Sequence, residues 1–346
     1  MVRTGFDPNR KKAHKVTEDA LPPMPPALAA KLIERIATIP LYAHAYAFHL
    51  NFRFGTFGPF DLLDFAAANR LRGAKIHMED GEERSLGKAD MAGLAKFGHR
   101  ARQLGLDLNL EISQTDVPAL QEAVRVGRAI GATSIRCYPR YEGRVSSVIK
   151  RTIADLQSLA ILDPQGDFRF TLEQHEDLKA AELVHIVEAV GNPRLSLLFD
   201  FTNMINALER PIAALQSMAG HVTDVHIKDA KIIAANGGWG QLCCRSGEGD
   251  IPQARLLMEL LCLGANLPQV VAYGLEEEVG YASPPFRFAG EEDDPCIAFR
   301  KASETDLTEG IDLATQLAVE RANAQHLCGH VALLLKKLHD HAVLYL

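Results

Sequence analysis

A single (β/α)8 barrel, the TIM-barrel class of α/β fold, is what the sequence predicts, on three observations. Short β-like runs alternate with longer amphipathic segments through most of the chain, an order that implies right-handed crossovers and a parallel sheet. The units recur at intervals of about thirty residues, as in a closed barrel. The first strand is followed by FHLNFRFGTFG rather than the glycine-rich phosphate turn of a doubly wound sheet, and no solenoid signature repeats.

The strands, in order, are LYAHAYA from Leu41, GAKIHME from Gly73, LDLNLEI from Leu106, SIRCY from Ser134, FRFTLE from Phe168, LSLLFD from Leu195, VTDVHI from Val222 and QVVAYGLE from Gln269. Each is a short apolar or alternating run of strand length. Between them, PFDLLDFAAANRL, MAGLAKFGHRARQLG, VPALQEAVRVGRAIG and ARLLMELLCLG have the apolar spacing of amphipathic helices. Two connections are long: DAKIIAANGGWGQLCCRSGEGD after the seventh strand and VGYASPPFRFAGEEDDPCIAFRKA after the eighth. Loops in these places lie on a barrel's catalytic face, and long ones are usually functional. The expected organisation is an N-terminal arm over 1–30, containing the proline-rich ALPPMPPAL, and one barrel domain over 31–346 with a helical C-terminal extension.

The chain has 346 residues, 47% hydrophobic and 23% charged, an ordinary globular composition. A net charge of −7 argues against nucleic acid or an anionic membrane as partner. A small molecule is the expected partner, and a homo-oligomer is compatible with the sequence. The six cysteines include no C-x-x-C pair, which suits reduced thiols in a cytoplasmic protein. The basic start MVRTGFDPNRKKAHKV has no apolar segment behind it, so no secretory signal is expected. No run approaches the roughly 20 apolar residues of a membrane span.

Strand parity selects the candidate site. Side chains alternate between the barrel interior and the surrounding helices. In the eighth strand Val271, Tyr273 and Leu275 form the large apolar set and face the helices, which leaves Glu276 pointing inward at the strand's end. The same reasoning turns Glu173, Asp200 and His226 inward at the ends of the three preceding strands. Three carboxylates in one barrel mouth repel strongly unless a cation sits among them. Three carboxylates and an imidazole suit one divalent ion, with Mn2+ favoured, Mg2+ and Co2+ next and Zn2+ behind them.

At these residues the sequence resembles the xylose-isomerase-like barrel superfamily, the sugar phosphate isomerase/epimerase proteins. The motifs are TLEQHEDL around Glu173, LLFDFTNMI around Asp200, DVHIKDA around His226, SGEGDIP from Ser246 and the strand ending at Glu276, so that the resemblance runs from about Leu41 to Gly280. It implies one divalent metal held by Glu173, Asp200, His226 and Glu276. It also implies that Glu173 and Glu276 act as catalytic acid–base groups, exchanging protons with adjacent substrate carbons through a metal-stabilised enediolate. The expected function is a metal-dependent sugar or sugar-acid isomerase or epimerase. The alternative within the superfamily is a lyase, either decarboxylating a 3-oxo sugar acid or eliminating from a 3-oxo glycoside.

Further candidates surround this core. His175 has the parity to sit above the metal site, and the superfamily often has a histidine there. His77 and Glu79 end the second strand facing inward, Lys228 and Asp229 are read as a rim ion pair or substrate contacts, and Asn203 as a support for Asp200. Arg136, Arg140, Arg245 and Arg287 are candidates for a substrate carboxylate or phosphate. His175, His77, Lys228 and Arg287 form the expected substrate-binding set. Trp239, the single tryptophan, is read either as a lid or as an anchor of its own loop. Glu277 is expected to point toward solvent, and Glu278 shares the parity of Glu276. A multi-metal nuclease would need extra histidines and a basic surface, which the net charge of −7 opposes. A non-catalytic sugar-binding protein is the remaining class.

Overall fold

Eight parallel strands close into a barrel in the computed structural model, which describes residues 20–299 and 307–346. They are β1 (Leu41–His44), β2 (Gly73–His77), β3 (Asp107–Glu111), β4 (Ser134–Cys137), β5 (Arg169–Glu173), β6 (Leu195–Asp200), β7 (Val222–Ile227) and β8 (Ala272–Leu275). Each pairs with its sequence neighbours, and β1 pairs with β8 to seal the ring. The fold class and all eight strands are those the alternation predicts. Of the expected arm, residues 1–19 lie outside the described residues, and a helix, Pro26–Ala37, begins inside the segment assigned to it.

The helices start and stop where local chemistry requires. Asp90 and Asp116 accept the Gly93 and Ala119 amide N–H groups at the starts of Met91–Gln103 and Val117–Ile130, satisfying donors that a helix start leaves orphaned. Gly131 ends the second of these at φ +76°, a left-handed turn that favours glycine. The apolar core fills the layer between strands and helices, with Leu62, Leu94, Leu120, Leu183 and Leu257 meeting Ile76, Leu110, Ile135, Phe170 and Val225.

The barrel interior is ionic. Lys75 on β2 is buried against Asp224 on β7, while Arg136 on β4 bonds Glu111 on β3. Gly274 on β8 leaves room for this: a Cβ there would lie 2.6 Å from Lys75 Cδ and 3.1 Å from His226 Cδ2.

Two structures cover the catalytic face. The connection after β7 is an antiparallel hairpin, Asp229–Ala235 with Gly238–Cys244, not an irregular loop. Asn236 at φ +51° and Gly237 at φ +84° make its turn, the paired left-handed conformation of tight hairpins. The segment after β8 then crosses the mouth. Its Ala282–Ser283 joins the hairpin, Asn206 Nδ2 donates to the Ser283 and Pro284 carbonyls, and Cys296–Ile297 pairs with Gly143–Arg144. A helix of 31 residues, Leu313–Val343, packs back against the Pro26–Ala37 helix and the β1 loop. No described helix is long and apolar enough to cross a membrane.

Candidate metal and catalytic site

The ends of β5, β6, β7 and β8 bring Glu173, Asp200, His226 and Glu276 together: one ligand-type atom of each lies within 4.8 Å of the others, and all four residues are buried. The four strands are consecutive around the ring, with Asp200 opposite His226 in the β6–β7 register. His226 Nδ1 stands 2.7 Å from Glu276 Oε2, 3.5 Å from Glu173 Oε1 and 3.8 Å from Asp200 Oδ2.

Hydrogen bonds behind the cluster set its orientation. Asp200 Oδ1 accepts the Thr202 and Asn203 amide N–H groups at 2.8 and 2.9 Å, and Asn203 Nδ2 donates to Glu173 Oε1 at 3.3 Å. His226 Nε2 lies 3.1 Å from Glu111 Oε1. A proton on that nitrogen leaves Nδ1 as a lone pair aimed at the three carboxylates, the usual arrangement of a ligating histidine. His44 also lies close enough to form a group with His226 and Glu276. Its Nδ1 accepts the Tyr46 amide N–H at 3.0 Å, however, and its Nε2 meets Glu111 Oε2 at 3.0 Å. Both its nitrogens are therefore occupied, and His44 is not available as a ligand. Glu111 serves both rings and was missed by sequence reading, although its position two residues after Asn109 and opposite in parity to Leu108 and Leu110 is the same signal that found the others.

The fit of this cluster to a divalent cation rests on two observations. Glu173 Oε2, Asp200 Oδ2, His226 Nδ1 and Glu276 Oε2, one atom from each residue, are buried without a well-directed hydrogen bond, with only ion-pair contacts beside them: Arg136 Nε 3.1 Å from Glu173 Oε2, Lys228 Nζ 2.9 Å from Asp200 Oδ2, and His226 Nδ1 and Glu276 Oε2 2.7 Å from one another. Such groups are rare and costly in folded proteins. The second observation is charge. With the imidazoles neutral, as a metal-binding histidine is, the strands and their ends send five buried carboxylates into the barrel (Glu111, Glu173, Asp200, Asp224, Glu276) against three buried cations (Lys75, Arg136, Lys228), an excess of two negative charges. Burial raises the Asp200 carboxyl above its ordinary range. Burial also opposes charge on Glu276, but the Lys228 ammonium leads the charges that outweigh it and hold that carboxyl well below its ordinary value. The residues fit a divalent metal, with Glu173, Asp200, His226 and Glu276 as the residues that would hold it.

A cavity of about 1160 Å³ opens above the cluster, its wall including Glu173 and Glu276. His77, His175 and Lys228 line it. His77 Nε2 contacts Ser113 Oγ at 2.8 Å, and His175 stacks on Tyr138 with ring centroids 3.8 Å apart. Lys228 Nζ lies 2.9 Å from Asp200 Oδ2 and 3.6 Å from Glu276 Oε2. Glu79, Arg136, Arg140, Asn203 and Glu278 also reach the wall.

Several sequence expectations are corrected. Arg287 does not line the cavity: it is buried beneath the covering segment, where its guanidinium pairs with Glu182 at 2.9 Å and Glu291 at 2.8 Å. Asp229 forms no ion pair with Lys228; it accepts the Gly247 and Gly249 amide N–H groups at 2.9 and 3.0 Å and so folds the SGEGD turn. Glu277 is buried rather than solvent-facing and accepts the Ser246 amide N–H at 2.8 Å. Trp239 packs on the main core, which is the anchoring role, and Arg245 is exposed and does not line the cavity.

No protein-family model matches the chain. The uncharacterized protein YihM of Escherichia coli is 48% identical over 314 residues, covering 91% of this chain and 96% of that protein. The 3-oxo-isoapionate decarboxylase of Pectobacterium atrosepticum is 25% identical over 226 residues, 63% of this chain and 73% of that one. Among solved structures, a xylose isomerase domain protein from Alicyclobacillus acidocaldarius superposes with a TM-score of 0.57 at 17% identity, covering 87% of this chain and 99% of that one. A D-psicose 3-epimerase solved in the presence of D-fructose gives 0.57 at 13% identity, covering 83% and 98%. At such identities the structural likeness speaks for the fold alone. Identity of 48% across nearly the whole of both chains places this chain in the same family as YihM, and its closed barrel has the TIM-barrel fold seen in the xylose isomerase domain proteins.

Proposed function

We propose that this protein is a divalent-metal-dependent isomerase or epimerase that removes a proton beside the carbonyl of a small sugar or sugar acid. The observation that supports this reading best is the pair of glutamates, Glu173 and Glu276, flanking Asp200 and His226 on successive strands and opening into one cavity. A divalent cation, Mn2+ ahead of Mg2+ or Co2+ and then Zn2+, would supply Lewis acidity that polarises the substrate carbonyl and acidifies the neighbouring C–H. Glu276 takes the proton at one carboxylate oxygen, and Glu173 returns it or takes the opposite one; a positioned acid–base pair of this kind accelerates exchange at carbon. Lys228 stands between Asp200 and Glu276, where its ammonium stabilises the ionised base. His77, His175 and Asn203 present hydrogen-bonding groups to substrate hydroxyls, and the segment over the barrel mouth limits water. The likeness to a sugar epimerase fold is consistent with this reading.

A lyase is the second reading, favoured by the 25% identity to a decarboxylase of an oxo-sugar acid, since breaking the bond to carbon dioxide leaves its electron pair as an enolate of the kind that C–H deprotonation forms, and an aglycone departs from such an enolate by elimination. The deciding experiment incubates chelated and Mn2+-reloaded protein with ketoses, oxo-glycosides and oxo-sugar acids in deuterated buffer. Deuterium entering unchanged substrate or its isomer supports the isomerase, and release of carbon dioxide or aglycone supports the lyase. Glu276→Gln is expected to lower turnover about 10²–10⁴-fold, with Glu277→Gln within a few-fold of wild type. Full activity in the chelated protein, or in Glu276→Gln, would sink the proposal.

A further inference from the structure

The bases nearest the cluster are committed to protein carboxylates. Arg136 pairs with Glu111 and, through Nε at 3.1 Å, with Glu173. Lys228 is held by Asp200 and Glu276, Lys75 by Asp224, and Arg287 by Glu182 and Glu291 outside the cavity. Recognition of a carboxylate or phosphate calls for a guanidinium fork or ammonium facing the ligand, and the cavity floor spends both of its bases on other partners. A divalent ion in the cluster cancels the excess of two negative charges and leaves no surplus positive charge. Around the rest of the wall, six acidic side chains (Glu79, Asp80, Glu82, Glu83, Glu176 and Glu278) stand against three basic ones (Arg53, Lys88 and Arg140). What remains on the floor is neutral and suited to hydroxyl groups: His77, Ser113, Tyr138 and Asn203. The roof is apolar, built from Pro284, Pro285, Phe286 and Phe288. The volume of about 1160 Å³ exceeds the roughly 300–1,000 Å³ typical of pockets for drug-sized ligands, so a bare monosaccharide leaves much of it unfilled.

We infer that the cavity selects an uncharged oxo-sugar, a ketose or an oxo-glycoside with a neutral substituent under the roof, against sugar acids and sugar phosphates. The inference rests on the proposed metal-dependent reading and narrows it: an anionic group would enter a wall already acidic and, on the floor beside the cluster, would displace a protein ion pair to find a partner, at the cost that burying unpaired charge carries. It also separates the two lyase forms, disfavouring decarboxylation of a sugar acid and permitting elimination from a neutral oxo-glycoside.

The test uses the Mn2+-loaded full chain and two matched pairs: D-fructose with D-fructose 6-phosphate, and methyl 3-oxo-glucoside with the corresponding 3-oxo-glucuronide. Titration calorimetry is expected to show each neutral member binding at least about tenfold more tightly, about 1.4 kcal/mol. Glu278→Gln, which removes one wall carboxylate, is expected to narrow that gap. Equal affinity within both pairs, preference for the anions, or no binding by any of the four overturns the inference. Deuterium exchange measured on the same samples distinguishes the two levels. Neutral preference in binding without exchange overturns the isomerase reading and supports the charge selection, whereas exchange with anion preference overturns the charge selection alone.

Discussion

His77 shows how a single side chain on the cavity wall is fixed in one protonation state. Its Nδ1 accepts the Glu79 amide N–H at 3.1 Å, which leaves the proton on Nε2 to meet Ser113 Oγ at 2.8 Å. Burial, reinforced by the nearby Arg136 charge, pushes its pKa down to about 3. The imidazole is therefore a neutral donor throughout the physiological range. In the unfolded chain it takes a proton near pH 6.5. Its contribution to stability is thus complete above that pH and is lost as pH falls from about 6.5 toward 3. An NMR titration should show no His77 protonation down to pH 5, and a midpoint near 6.5 would refute the assignment. The inward orientation of His77, Glu173, Asp200, His226 and Glu276 was legible because period-two alternation is local to each strand. The role of Arg287 was not, because its partner Glu182 lies 105 residues away on another element.

At the scale of elements, the segment after β8 matters through its attachments. Arg287 lies at the centre of them, joining Glu182 of the Ala180–Val190 helix to Glu291, which in turn meets Lys179 at 2.7 Å. Removing one partner of a buried pair leaves the other charge uncompensated. Arg287→Ala is expected to cost about 3 kcal/mol. It should also speed limited proteolysis within 279–299 and raise KM while kcat stays within a few-fold. Unchanged cleavage would show that the other attachments suffice. Sequence length alone marked this segment as functional, but not what it covers. The hairpin after β7 was readable in principle from Asn236-Gly237, a strong hairpin signal. It was obscured because DAKIIAA does not alternate cleanly between polar and apolar residues.

For the whole molecule, eight alternating units at regular spacing, with no glycine-rich turn after the first strand, predicted the closed barrel, since a parallel sheet needs helices over its strands and the doubly wound alternative wants that turn. The ionic interior was not predicted: Lys75 and Asp224 lie 149 residues apart, and only closure brings β2 and β7 across from one another. The long terminal helix adds a further long-range tie. Glu320 accepts the Leu50 and Asn51 amide N–H groups at 2.7 and 2.9 Å and the Asn51 side-chain amide at 2.6 Å. Glu320→Ala is expected to lower unfolding free energy by about 1–3 kcal/mol in a denaturant titration, and a loss below a few tenths would remove the helix from this role. His49, Phe52 and Arg53, immediately around that tie, line the cavity. During synthesis the ribosome makes this wall early, yet the carboxylate that secures it follows 270 residues later. At about 5–20 residues per second, the nascent chain carries a part of its future pocket unfastened for on the order of tens of seconds before its last helix emerges to hold it.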